Sequence, residues 1–228
     1  MDASSVRAGF AAVRGERRLH FLSSIVAGLA KVLAGATVRW LGCRPDAKQR
    51  IYFSNHTSHL DFVLIWSALP RDLRVSTRPV AAEDYWERGP IRRYLAREVF
   101  RAVLVERRDP SGDRHAAVGA AASGLRAILA ALEKNDSLIV FPEGTRSTTG
   151  RVEAFKPGLY HIVLHRPNVE LVPVYVENLN RILPKGEFLP VPLLSRVVFG
   201  PPVKLEEGEP KRAFLERARE SVVRLATL

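Results

Sequence analysis

The sequence predicts an α/β domain: a mixed sheet flanked by helices, with an amphipathic helix ahead of it. Three observations lead there. Short apolar runs such as 51–53, 137–141 and 171–176 alternate with stretches whose apolar residues recur at helical spacing. The last strand candidates, Leu194 to Phe199 and Val203 to Leu205, follow each other too closely for a crossover helix, which makes the sheet mixed. The 228 residues are 46% hydrophobic and 26% charged, enough for one substantial core in a folded chain.

Taken in order, residues 1–18 are polar and basic. From Leu19 to Leu41 runs an apolar stretch interrupted by Lys31 and Arg39, in which Leu22, Ile25, Val26, Leu29, Val32, Leu33, Ala36 and Trp40 form one stripe. Charge in its middle disfavours a membrane span. The pattern fits an interfacial helix whose basic residues face lipid headgroups, or else a helix packed on its own core. Residues 1–44 are therefore read as a basic segment with an interfacial helix, and 45–228 as the α/β domain. Arg7, Arg14, Arg17 and Arg18 precede the apolar stretch, but no small-residue cleavage site follows it, so no cleaved signal is expected.

Ile51 to Phe53 reads as a buried strand, Asp61 to Leu69 as a helix stopped by Pro70, and Leu73 to Val80 as another strand. Tyr85 to Arg97 is read as helical and Val99 to Val105 as apolar and β-branched. A helix with the stripe Val118, Leu125, Ile128, Leu129 and Leu132 runs to about Lys134, closed by Asn135 and Asp136. Ser137 to Phe141 is a strand, Gly158 to His165 a helix, Leu171 to Val176 a strand, and a charged helix from Pro210 completes the chain.

The net charge of +11 favours an anionic partner: a phosphorylated substrate, an acidic lipid surface or nucleic acid. Nucleic acid is disfavoured, because no recognition motif occurs and the aromatics are not interleaved with the basic residues. A single cysteine, Cys43, excludes an intramolecular disulfide framework and a cysteine-rich zinc site. His59, His115, His161 and His165 lack metal-ligand spacing, and no activated serine or cysteine motif is present.

Two stretches carry candidate chemistry. In Ser54 to Asp61, His56 and Asp61 can act as a base and the carboxylate that orients it. Five residues is the wrong spacing for one helical face but feasible across a turn into a helix. The alternative is structural, with Thr57 or Ser58 capping a helix whose first turn holds Asp61. In Phe141 to Ser147, a strand runs into Pro142-Glu143-Gly144, and Thr145, Arg146 and Ser147 supply donors suited to a phosphate or carboxylate. Lys156 can add charge to the same anion; the alternative is an ordinary turn bearing a surface arginine. Arg107 follows the strand ending at Val105 and is placed at the sheet rim, although a solvated pair with Arg108 is the default.

Together these stretches resemble the glycerolipid acyltransferase family that includes the 1-acylglycerol-3-phosphate acyltransferases. Asn55, His56 and Asp61 match its N-H-x-x-x-x-D block, and Phe141 to Ser147 match F-P-E-G-T-R-S in full. Val103 to Arg107 resemble the arginine-bearing block, with Glu106 where an aspartate is usual, and Val172-Pro173-Val174 resemble the fourth block. The resemblance implies a glycerol-3-phosphate acyltransferase-like fold and acyl transfer from acyl-CoA or acyl carrier protein to a lipid hydroxyl. His56 would be the general base and Asp61 its orienter, with no cofactor, no metal and no acyl-enzyme. Arg107, Arg146 and Lys156 would hold the acceptor phosphate, and Glu143, Gly144, Thr145 and Ser147 the acceptor. Lysophosphatidic acid is the expected acceptor, with lyso-ornithine lipid or another lysophospholipid as alternatives and a non-catalytic lipid-binding role less favoured. The enzyme is expected on an anionic membrane surface at the cytoplasmic face, with Trp66 and Trp86 as further lipid contacts.

Overall fold

The structure, a computed structural model, describes residues 28, 37–58, 60–106, 114–177 and 195–228. Seven strands form one sheet in the order β1-β7-β6-β2-β5-β3-β4. They are β1 (Thr37–Trp40), β2 (Arg50–Ser54), β3 (Thr77–Ala82), β4 (Val103–Val105), β5 (Ser137–Val140), β6 (Glu170–Glu177) and β7 (Arg196–Phe199). Strands β6, β2, β5, β3 and β4 are parallel neighbours, whereas β7 runs antiparallel to β6 and pairs in parallel with β1. The sheet is mixed, as expected.

All five residues of β2 are buried, because helices cover both faces of the sheet there. Alternation along this strand divides the core. Tyr52 faces Ile65, Trp66 and Phe199 on the side of α1 (Asp61–Ala68), whereas Ile51 and Phe53 face Leu159, Phe214 and Val222 on the other. The second side is covered by α5 (Arg114–Glu133), α6 (Gly158–His165) and α7 (Lys211–Leu225). At the opposite end of β2 from the site, the buried Arg50 guanidinium is neutralised by Asp46 at 2.6 Å and Glu170 at 2.9 Å.

Helix α5 ends where Asn135 takes a left-handed φ of 63°. The Asp136 N–H then reaches the Ala131 carbonyl and the Asn135 N–H the Leu132 carbonyl, the hydrogen-bond pattern of a Schellman cap. Elsewhere four readings change. Thr37 to Trp40, assigned to the end of the N-terminal helix, form an edge strand, and Trp40 stacks on Phe199 at 3.8 Å. The remainder of that helix, apart from residue 28, lies outside the described residues, as do the prolines at 184, 190 and 192. Leu73 to Val75 belong to a short helix, α2 (Arg71–Val75), because the strand starts only at Thr77. Val203 makes an isolated bridge to Leu171 rather than a strand.

The region read as one helix from Tyr85 is three pieces: α3 (Glu83–Trp86), α4 (Pro90–Tyr94) and a π turn over Leu95–Val99. Gly89, at φ 87°, separates the first two. No helix among the described residues is long and apolar enough to cross a membrane.

Phe199 is fully buried, stacked on Trp40 and edge-on to Tyr52 at 5.7 Å. Phe199→Ala is expected to cost about 3–5 kcal/mol through lost burial and the cavity left behind. Val118→Ala, at a position 69% exposed, should stay within about 0.5 kcal/mol of the parent. Urea unfolding of the two variants beside the parent checks both; equal midpoints would exclude this packing.

Candidate active site

Parallel strands deliver their C-terminal ends to one rim, the usual place for a ligand in such a sheet. β2 ends at Ser54 and β5, beside it, at Val140, so the segments 55–61 and 141–147 emerge as neighbours. The Asn55 side chain clips the first segment to β6. Its Nδ2 donates to the Val176 carbonyl and its Oδ1 accepts the Val176 N–H, both at 2.9 Å. A side-chain amide thus completes the ladder where the chain leaves the sheet.

The turn that follows folds around the carboxylate of Asp61, which is fully buried. Oδ2 accepts the Thr57 N–H at 2.6 Å and the Ser58 N–H at 2.8 Å, and Nδ1 of His56 lies 2.8 Å away. Ser58 supplies the expected cap, its Oγ accepting the Leu60 N–H at 3.2 Å. Leu60, which precedes the helix, adds no side-chain cap of its own, and Asp61 itself captures the two amides from within the first turn. An ionised carboxylate is an acceptor only, so Nδ1 carries the hydrogen and Nε2 keeps its lone pair. Nε2 makes no hydrogen bond to any described residue, and the side chain is 18% exposed. A neutral imidazole with a free Nε2 and a buried orienting carboxylate is the arrangement of a general base.

The second segment grips the base through its backbone. The Glu143 carboxylate accepts the His56 N–H at 2.9 Å, and the Ser147 N–H donates to the His56 carbonyl at 2.7 Å. The Phe141 ring stacks on the imidazole with centroids 4.2 Å apart. Glu143 is 3% exposed, and its Oε2 has no hydrogen-bond partner among the described residues. Burial pushes its carboxyl up from the ordinary 4.5 to about 7, against the pull of the His56 amide. Glu143 therefore serves the turn that carries the base. Ser147 is also buried, with its hydroxyl 3.1 Å from that of Thr149.

Gly144 sits at φ 70°, and a Cβ there would lie 2.6 Å from Lys156 Nζ. Glycine lets the lysine lie against the turn, and the Lys156 N–H ties the returning loop to the Pro142 carbonyl at 2.8 Å. Thr145 and Lys156 are exposed and Arg146 half-buried. Neither cation forms an ion pair with a described residue, whereas Arg50, Arg78, Arg97, Arg196 and Arg217 all do. Two such cations, one on the segment that grips His56 and one against its Gly144, favour an anionic ligand.

Arg107 and His59 lie outside the described residues. Strand β4, which leads toward Arg107, is three strand spacings, about 14 Å, from β2. Sequence reasoning missed three contributors: the Asn55 clip, the Phe141 stack and the bond from the His56 N–H to Glu143. Each depends on a pairing partner remote in the chain.

The profile of the family described as Acyltransferase matches residues 37–177. A 1-acyl-sn-glycerol-3-phosphate acyltransferase of Limnanthes douglasii is 30% identical over 184 residues, 80% of this chain and 60% of the relative. The Cocos nucifera enzyme of the same name is 31% identical over 71% of this chain and 48% of its own. The chain thus spans at most 60% of these relatives' length. The crystal structure of the 1-acyl-sn-glycerophosphate (LPA) acyltransferase PlsC from Thermotoga maritima superposes with a TM-score of 0.67 at 22% identity, covering 98% of this chain and 90% of that one. That likeness is one of fold.

A raised carboxyl pKa disfavours the charged form, so the stability associated with neutral Glu143 is complete below 4.5 and lost as pH climbs through about 7. Glu143→Gln keeps a carbonyl acceptor for the His56 N–H and removes the charge. The stability of this variant relative to the parent is expected to rise by about 3 kcal/mol between about pH 4 and about pH 8. Denaturant unfolding across that range measures it; a pH-independent difference would show that burial does not perturb this carboxyl.

Proposed function

The chain belongs to the acyltransferase family, and on that premise we propose that it transfers an acyl group from a thioester to the free hydroxyl of lysophosphatidic acid. The observation that carries the reading is His56 Nδ1 held 2.8 Å from the buried Asp61 carboxylate, with Nε2 left free at the rim. The curated relatives named above share the acceptor in their names, and the unpaired Arg146 and Lys156 suit a phosphate monoester.

In the proposed reaction, Nε2 of His56 takes the acceptor hydroxyl proton as the oxygen attacks the thioester carbonyl carbon. Asp61 stabilises the imidazolium that results. The tetrahedral intermediate collapses, the carbon–sulfur bond breaks, and the thiolate takes the proton back from Nε2. The products are a diacyl phospholipid and a free thiol. Arg146 and Lys156 hold the acceptor phosphate, with Arg107 as a further expected ligand. The donor is acyl-CoA or acyl carrier protein, and the site of action is an anionic membrane surface at the cytoplasmic face.

Purified protein supplied with lysophosphatidic acid and an acyl-CoA should release thiol. His56→Ala and Asp61→Asn should each lower kcat by roughly 10²–10⁴-fold with little change in KM. Equal turnover by parent and His56→Ala would sink the mechanism. Arg146→Ala and Lys156→Ala should instead raise the acceptor KM about tenfold or more, the loss expected for a charge-assisted contact. A panel containing lyso-ornithine lipid and neutral lysolipids tests the acceptor assignment: an unaltered KM in both variants, or preference for an acceptor without phosphate, would exclude the phosphate grip.

A further inference from the structure

Helix α4 and its π turn present an uncovered face that combines apolar and basic side chains. Ile91 is 75% exposed and Tyr94 45%. Arg88, Arg92, Arg93 and Arg97 are exposed around them. Across residues 87–98 these four arginines stand against Glu87 and Glu98, a net of +2. Arg97 pairs with Glu87 at 2.8 Å and Arg93 approaches it at 3.7 Å. Arg92 lies over the Tyr85 ring at 4.5 Å, and Arg88 forms no ion pair with a described residue. Pro90, Arg93, Tyr94, Arg97 and Glu98 line an open groove of about 380 Å³.

The exposure does not come from loose packing. Beneath the face, Trp86 meets the Phe62 ring at 5.4 Å, and Phe62 meets Phe100 at 4.9 Å, both edge-on. The π turn is closed by Phe100 N–H to the Leu95 carbonyl at 2.9 Å. An aromatic cluster thus packs the adjoining core while Ile91 and Tyr94 stay in water, Ile91 being the most exposed of the large hydrophobic side chains described.

We propose that this face docks on an anionic lipid bilayer. Ile91 and Tyr94 enter the boundary between headgroups and acyl chains, while the arginines bury their stems and meet lipid phosphates. Its place in the fold suits that occupant. α3 leaves the C-terminal end of β3, on the rim that carries His56, and Phe62 follows Asp61 directly. Docking here sets the base beside the headgroup layer. These residues lie outside the 1–44 segment of the sequence, and the proposal rests on the membrane site of action proposed above, for which it names a docking face.

The test uses the full chain carrying Cys43→Ser and Ile91→Cys, labelled with an environment-sensitive fluorophore. A matched protein is labelled at Val118, 69% exposed on α5 across the sheet. Vesicles of phosphatidylcholine mixed with phosphatidylglycerol should blue-shift the label at 91 and leave that at 118 unmoved; phosphatidylcholine alone should have a smaller effect. Arg88→Glu with Arg92→Glu should weaken partitioning to the anionic vesicles about tenfold or more, with the same thermal midpoint and the same turnover of a soluble short-chain acceptor. The proposal is overturned by an unshifted label at 91, by equal shifts at both sites, or by a shift produced by an acidic acyl carrier protein without vesicles. Absence of turnover on every acceptor would instead count against the acyltransferase reading and leave the docking surface standing.

Discussion

The buried carboxylate of Asp61 is the constraint to which the rest of the site conforms. Taking a carboxylate out of water is tolerable only where donors replace its hydration. Here the Thr57 and Ser58 amides and the His56 ring supply them within 2.8 Å. Those bonds dictate the path of the chain from β2 into α1, because both amides must point inward at one oxygen. They also select the imidazole tautomer, so the catalytic potential of Nε2 follows from the folding requirement of Asp61. Turn and base are one solution to one desolvation problem.

That solution needs a second segment to hold it. The peptide groups on either side of His56 are gripped from β5's continuation, the N–H by Glu143 and the carbonyl by Ser147. The arrangement rests on the parallel register of β2 with β5, in which Phe53 lies opposite Val140. A slip of one residue would turn alternate side chains to the wrong face and part the two loops. Glu143 bears a cost in this role. Its second oxygen is buried without a hydrogen-bond partner among the described residues, and burial pushes its carboxyl up to about 7. Strain of this kind persists when the rest of the structure determines the position and the group serves a site.

How much of this was legible in the sequence depends on the range of each interaction. His56, Asp61 and the 141–147 segment were readable, since their spacing is local and their residue types are chemical. The cap was readable for the same reason: Ser58 Oγ accepts the Leu60 N–H, while Asp61 takes the Thr57 and Ser58 amides. Trp40 fell into a helical stripe, yet it belongs to a strand whose partner β7 lies more than 150 residues away. Trp66, proposed for lipid, is 2% exposed and packed edge-on against Phe100 at 5.2 Å, and Trp86 joins the same cluster. Composition marked that aromatic region as amphipathic but did not say which residues form the packed cluster. Ile91 and Tyr94 face out because the indoles already fill the interior.

The rim combines two kinds of positive charge, and the difference between them is informative. Several arginines away from it are spent on intramolecular carboxylates, as at Arg50, Arg78, Arg196 and Arg217. Arg146, Lys156 and Arg88 are not, among the described residues. An unpaired exposed cation costs little, since water solvates it, and gains most when an anion of fixed geometry arrives. Arg146 and Lys156 are fixed by a glycine turn and a tied loop, which suits a single phosphate. Arg88 and Arg92 stand on a convex helix beside exposed apolar side chains, which suits a plane of headgroups. On the proposed reading, a base on the rim from which both segments emerge suits an acceptor whose headgroup leaves the bilayer only partway.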